Sequence, residues 1–285
     1  MNAPSAAESA VDEGGREIAA RVAPGFRKRV RRRALVVRGA QTLLGVVVVA
    51  LWELLVRLRV IDPFYFSRPS DIALRVRDWF ADGEILEHLR VTLVEASLAL
   101  LIGAALGLGG GFLLARVTLL ADILDPYIKM LNALPRVVLA PIFLLWFGLG
   151  IWSKVAFGVT LVFFIVFFNT YQGVRDVSSV LVDNARMLGA KERQLIRHVF
   201  LPSALTWIFS SLHVSVGFAI VGAVVGEYLG SSRGMGYLIS QAEGVFDTTG
   251  VFAGMVVLSA VVLLLDLAVH RIERHLLRWK PDVAV

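Results

Sequence analysis

Asp183-Asn184-Ala185-Arg186-Met187-Leu188-Gly189, followed after nine residues by Val199-Phe200-Leu201-Pro202, lies between two of the longest apolar runs of the chain. A polar, basic stretch in that place is a loop at the edge of a membrane. Val177, Val180, Leu181, Ala185 and Leu188 stand at i, i+3, i+4, i+8 and i+11, the spacing of one helix face. Gly189 comes next, where a helix end commonly needs a left-handed residue, and Lys191 to Phe200 restarts with Leu195 and Val199 on one side. The stretch therefore reads as a helix, a glycine break and a second helix. Leu201-Pro202 then opens the following apolar run. Proline lacks an amide hydrogen and is tolerated in a first turn, so it sets the angle at which a rigid loop enters the membrane.

Outward from the loop, composition agrees with a bilayer as the solvent. Of 285 residues, 57% are hydrophobic, and the mean hydropathy is +0.72, against about 45–50% apolar residues in a soluble domain. A spanning helix needs about 20 mostly apolar residues. Six segments qualify: Gly39 to Val56, Val91 to Ala115, about Met130 to Ile151, Val155 to Val174, Ser203 to Gly226 and about Thr248 to Val269. The third is interrupted by Pro135, Arg136 and Pro141, which predicts a kinked or partly re-entrant span. The fold class expected is an all-α membrane protein of about six transmembrane helices.

An even number of spans puts both termini on one side, and Lys and Arg say which. Arg27, Lys28, Arg29 and Arg31 to Arg33 precede the first span, and Arg271, Arg274, Arg278 and Lys280 follow the last. The positive-inside rule makes both ends cytoplasmic, together with Arg116, Lys129, Arg136 and the basic residues of the central loop. Residues 1–33 read as a disordered basic tail, 34–58 as the first span, 59–90 as an outer amphipathic segment in which Ser70 or Asp71 caps a helix, and 91–270 as a core of five spans with the loop at 175–202. Residues 271–285 form a second tail. The 38 residues that precede the first apolar run do not fit the short basic region of a cleaved signal peptide.

Several classes of chemistry are poorly supported. The sequence pI is near 10, but the basic residues flank spans, which suits anionic lipid headgroups and not nucleic acid. Cysteine is absent, which removes disulfides and thiolate chemistry. The five histidines show no paired-ligand spacing except His270-Arg271-Ile272-Glu273, which reads as solvated tail, so no metal is expected. There is no G-x-x-x-x-G-K-[ST] phosphate loop, so energy must come from a partner or a gradient. An ion-coupled secondary transporter predicts mid-span acidic residues and inverted repeats, whereas Glu53 and Glu95 lie near span ends. Glu53 is placed to pair with Arg57 one turn on. An intramembrane enzyme predicts a catalytic constellation at bilayer depth, and only isolated polar residues occur.

Within the spans, Thr206, Ser210, His213 and Gly217 fall at i, i+4, i+7 and i+11, one small polar face that suits either a pathway lining or polar helix packing. Asn169 has the same two readings. Gly103, Gly107 and Gly111 repeat the spacing that lets helix backbones approach, which favours packing. The glycine-rich stretch Glu227 to Phe246 suits an outer gate, a docking surface or a plain connector.

The loop resembles the coupling motif of bacterial ABC importer permeases, in which Glu-Ala-Ala, three residues, Gly, nine residues, Ile, one residue and Leu-Pro occur in a cytoplasmic loop. Here the positions are Asp183, Asn184, Ala185, Gly189, Val199, Leu201 and Pro202. The spacing matches throughout, with Asp, Asn and Val substituted. Leu124-Asp125-Pro126, Leu134-Pro135, Leu145-Trp146-Phe147-Gly148-Leu149-Gly150 and Gly234-Met235-Gly236-Tyr237-Leu238-Ile239 look like permeases of the nitrate, sulfonate and taurine class. The resemblance covers about residues 40–280. It implies a type I importer permease that catalyses nothing itself, with ATP and Mg on two separate ATPase subunits that receive the loop. It also implies a binding protein delivering a small anion. Two ATP sites and the prevalence of two-fold symmetry suggest a pair of permease copies, a homodimer in the simplest case.

Overall fold

The computed structural model describes residues 32, 33 and 35–276; the tail readings for residues 1–31 and 277–285 lie outside the described residues. Among the described residues every regular element is a helix. The chain divides into two compact units, one ending at Ser70 and the other starting at Asp71.

The first unit contains α1 (Leu35–Arg57), the short α2 (Pro63–Phe66) and the first turn of α3 (Pro69–Asp82). Most of the apolar side chains of α1 are exposed, as a lipid-facing helix requires. Glu53 pairs with Arg57 at 2.6 Å as its spacing predicts. It also accepts the backbone N–H of Ser70 at 3.0 Å and the Ser70 hydroxyl at 2.9 Å. Ser70 and Asp71 therefore lie inside the first turn of α3, and the acceptor for an orphan N–H of that turn is a carboxylate seventeen residues upstream.

The second unit continues α3 and adds α4 (Glu84–Arg116), α5 (Thr118–Ala133), α6 (Leu139–Phe147), α7 (Ile151–Arg175), α8 (Ser179–Met187), α9 (Glu192–Leu195), α10 (Leu201–Leu229), α11 (Met235–Gly244) and α12 (Thr248–Leu276). Its centre is α4, α7 and α10, held together by glycine. A Cβ on Gly103 would stand 2.8 Å from the Cβ of Val162, one on Gly107 2.9 Å from Phe163 O, and one on Gly111 2.6 Å from Phe167 O. The backbones of α4 and α7 thus touch along the glycine stripe, which is the packing its spacing predicts. Around this contact Ala96, Ala104, Val162, Val166, Ala219, Ile220 and Ala223 form the buried core.

Among the described residues five helices are long and apolar enough to cross a membrane, or six when α5 and α6 count as one broken span. The broken span is the third, and it differs from its sequence reading. It starts at Thr118 instead of near Met130 and turns by 77° at Leu134-Pro135. Pro135 sits at the bend, where no helix can form through its missing N–H. Pro126 and Pro141 lie within α5 and α6. The sixth span also runs further than its apolar run, as helix to Leu276.

Candidate functional site

The residues singled out in the sequence fall at three levels along α10: the loop that feeds it, its polar face and its far end.

The loop folds as its pattern predicts. After α8 the N–H of Gly189 bonds to Arg186 O at 2.9 Å and that of Ala190 to Ala185 O at 3.0 Å, the paired bonds of a Schellman turn. Gly189 has φ +81° and open space around it, so the conformation alone demands glycine. Gln194 Oε1 accepts from the Lys191 N–H at 2.8 Å and restarts the chain as α9. One π turn, Ile196–Phe200, follows. Its wider winding precedes Pro202, whose ring would crowd the carbonyl four residues back in a regular helix.

Ionic contacts brace this loop against the bundle. Glu192 accepts from Arg116 at the end of α4 at 2.5 Å and from Arg186 of α8 at 3.1 Å. The Arg116 guanidinium lies 4.3 Å over the Phe200 ring. Asp183 is 4.0 Å from Arg186. Underneath, Val182, Leu195 and Phe200 are buried with Val174, Ala204 and Ile208, and Ala185 and Val199 pack against them. The apolar face read from the sequence thus divides. Val177 precedes α8 and packs inward, Val182 takes the central buried place, and Val180 and Leu181 stay exposed. At the tip, Met187 is 79% exposed and Leu188 89%.

At the second level Thr206, His213 and Gly217 are half-buried and Ser210 is exposed. Gly217 borders an apolar groove of about 670 Å³ between α10 and α12, with Val214, Val221, Leu258 and Val262. His213 turns to α12, where its two ring nitrogens lie 2.7 Å from Asp266 Oδ1 and 2.9 Å from Glu273 Oε2. Asn169 of α7 donates to Ile165 O at 2.8 Å. The four α10 residues share a helix side, whereas the Asn169 amide is turned back onto its own helix.

At the far end lies a buried polar cluster that the sequence reading missed. Glu227 is 1% exposed, accepting from the Thr92 hydroxyl at 2.7 Å and the Gly236 N–H at 2.7 Å. Thr92 Oγ1 in turn accepts from Met235 N at 2.8 Å, and Gly234 N donates to His88 at 3.0 Å. Gly234 has φ +109°, and a Cβ on Gly234 or Gly236 would collide with the Glu227 side chain. Lys154, which stands just before the fourth apolar run, is 1% exposed; its ammonium donates to Gly150 O at 3.1 Å, Gly230 O at 2.8 Å and Leu149 O. Glu95 joins Glu227 and Lys154. It is eleven residues past the first residue of α4, about 16 Å along the helix, and 2% exposed. It is therefore buried inside the bundle, beside Lys154 near the start of α7 and Glu227 near the end of α10. The sequence showed one charge within an apolar run, Glu95, and two at run edges, Lys154 and Glu227, and nothing local joins them, since Thr92 and Glu227 are 135 residues apart.

Residues 99–278 match the family model described as binding-protein-dependent transport system inner membrane component. The chain is 37% identical over 84% of its length, and 86% of the relative's, to a Bacillus subtilis protein that carries the name of an aliphatic sulfonates transport permease, SsuC. It is 34% identical over 84% of its length to the formylaminopyrimidine transport permease protein ThiX of Halalkalibacterium halodurans, 95% of which is covered. Among solved structures, a chain of the inward-facing MetNI methionine ABC transporter is similar with a TM-score of 0.58 and 20% identity, covering 65% of this chain and 92% of that one.

Proposed function

The chain belongs to the family of binding-protein-dependent transport system inner membrane components, and from that premise we propose that it is the translocation subunit of an ATP-driven importer in a bacterial inner membrane. Two copies pair around the pathway, two separate ATPase subunits supply ATP and Mg chemistry, and an extracytoplasmic protein delivers a small anion such as a sulfonate, taurine or nitrate. The similarity to SsuC supports the anion, and the similarity to ThiX supports a small heterocycle as the second reading.

The observation that carries the coupling role is the exposed apolar tip Met187-Leu188 on a braced loop. Free apolar side chains beside an ion-paired scaffold suit a cleft on another protein. Closure of the ATPases on ATP moves the tip. The Schellman turn, the Arg116–Glu192–Arg186 chain and the packed Val182 and Leu195 pass the motion to α10 without bending. The π turn and Pro202 are where the angle between loop and helix is set. Asp183, Asn184, Ala185, Gly189, Val199, Leu201 and Pro202 serve this transmission, and the α10 face of Thr206, Ser210, His213 and Gly217 is assigned to the pathway, with the backbone-bonded Asn169 of α7 left to packing.

Purification of the tagged chain in mild detergent, with identification of co-purifying subunits and an ATPase assay, tests the reading. An ATPase subunit is expected with the native chain and lost from Gly189→Arg. A lone chain with no ATP hydrolysis, or uptake that proceeds without it, would overturn the proposal in favour of ion coupling.

A further inference from the structure

Asp266, His270 and Glu273 lie on α12, which stays helical to Leu276. His270 and Glu273 are three residues apart and so share a face. Opposite them α10 presents His213. Glu273 Oε2 is 2.9 Å from His213 Nε2 and 3.3 Å from His270 Nδ1. One ligand atom from each of His213, His270 and Glu273 lies within 4.8 Å of the others. The remaining nitrogen of His213, Nδ1, is 2.7 Å from Asp266 Oδ1.

We propose that His213, His270 and Glu273 bind a divalent transition metal of the zinc class and so clamp α10 to the end of α12. Two imidazoles and one carboxylate form a known zinc donor set that leaves a fourth position for water. With bonds of about 2.0–2.1 Å, a tetrahedral site separates its ligand atoms by about 3.3 Å. The two separations to Glu273 already lie at or just inside that value, and the third, between the two imidazoles, is at most 4.8 Å, so binding draws the two rings together. Asp266 has the place of the outer carboxylate that accepts the Nδ1–H of a ligating histidine and directs Nε2 to the metal. Without a metal, His213 satisfies both carboxylates only by carrying a proton on each nitrogen, while the same Glu273 oxygen faces both rings. A single cation replaces that arrangement. His213 and Glu273 are half-buried and His270 is exposed, so the cluster opens to the surface of the subunit. The inference stands on these four residues and does not depend on the identity of the cargo or of the ATPase.

The test uses the full chain purified with a tag free of histidine, stripped with chelator and dialysed against Zn²⁺, with bound metal counted by mass spectrometry and the thermal midpoint followed with and without chelator. About one zinc per chain is expected. His270→Ala and Glu273→Gln should abolish that stoichiometric zinc, Asp266→Asn should weaken binding by about 10- to 100-fold, and His198→Ala, in the loop, should leave it unchanged. Chelator should lower the midpoint of the native chain and not that of His270→Ala. Equal zinc on native and His270→Ala chains, or midpoints indifferent to chelator, would overturn the proposal and leave a hydrogen-bonded ion cluster.

Discussion

The two ends of α10 handle polar groups in opposite ways. At the far end Glu227, Glu95 and Lys154 are buried, their partners are backbone and side chains of the same unit, and glycines bring α11 onto them without space to spare. At the loop end the charges are at the surface, Gly189 has open space around it, and apolar side chains are left in water. One end is closed by its own residues, and the other presents apolar side chains that its own residues do not cover. Substitutions at the far end should therefore cost stability, and substitutions at the loop end should cost assembly.

The largest effect is expected from Lys154→Met. Methionine fills similar space but leaves three carbonyls without their donor and two buried carboxylates without their cation. Removing one partner of a buried ionic group costs about 3–5 kcal/mol. Recovery of monodisperse protein in detergent and its thermal midpoint should both fall sharply. A midpoint like that of the native chain would break the comparison at its far end.

Next is Gly111→Leu, whose Cβ alone would stand 2.6 Å from Phe167 O and 2.9 Å from the Thr170 Cβ. Overpacking of this kind costs about 1–3 kcal/mol. Forcing α4 from α7 should lower the midpoint by less than the lysine change. If Gly111→Leu proves the more damaging, backbone contact and not the ionic cluster is the main support of the bundle.

These two sites also show what was legible in the sequence. The glycine stripe, the Glu53–Arg57 pair and the Gly189 turn were readable because each depends on residues within a few positions or on one repeated spacing. The apolar runs located the spans other than the third, with helix ends reaching up to seven residues beyond the runs. The Thr92–Glu227 and His213–Glu273 contacts were not readable, because partners 135 and 60 residues apart meet only after the helices pack. The third span was misplaced at its start because α5 carries Asp122, Asp125 and Lys129, which dilute its apolar signal. His270 and Glu273 were assigned to a tail because the apolar run stops before the helix does.

At the loop end, Gly189→Ala should cost only about 1 kcal/mol, the price of a left-handed residue with a side chain in open space. Its effect on ATPase attachment should be larger than its effect on the midpoint. That inversion separates a coupling element from a merely structural turn.

The smallest stability change and the sharpest test come from Leu188→Ser. Leu188 is 89% exposed, so removing its side chain withdraws almost no buried area, and surface changes of this kind fall within about 0.5 kcal/mol. The midpoint should not move. If the tip fills a cleft on an ATPase, the same change removes an apolar anchor at the centre of that contact, where truncation commonly costs about 1 kcal/mol or more of binding. Co-purified ATPase should drop about five-fold or more while the permease itself is recovered in full. Arg186→Ala, which touches only exposed ion pairs, should move neither quantity by more than about 1 kcal/mol. A Leu188→Ser chain that keeps its full complement of ATPase would mean that the exposed tip is not the docking point, and the contrast between a closed end and an uncovered one would then have to rest on the charged side of α8 instead.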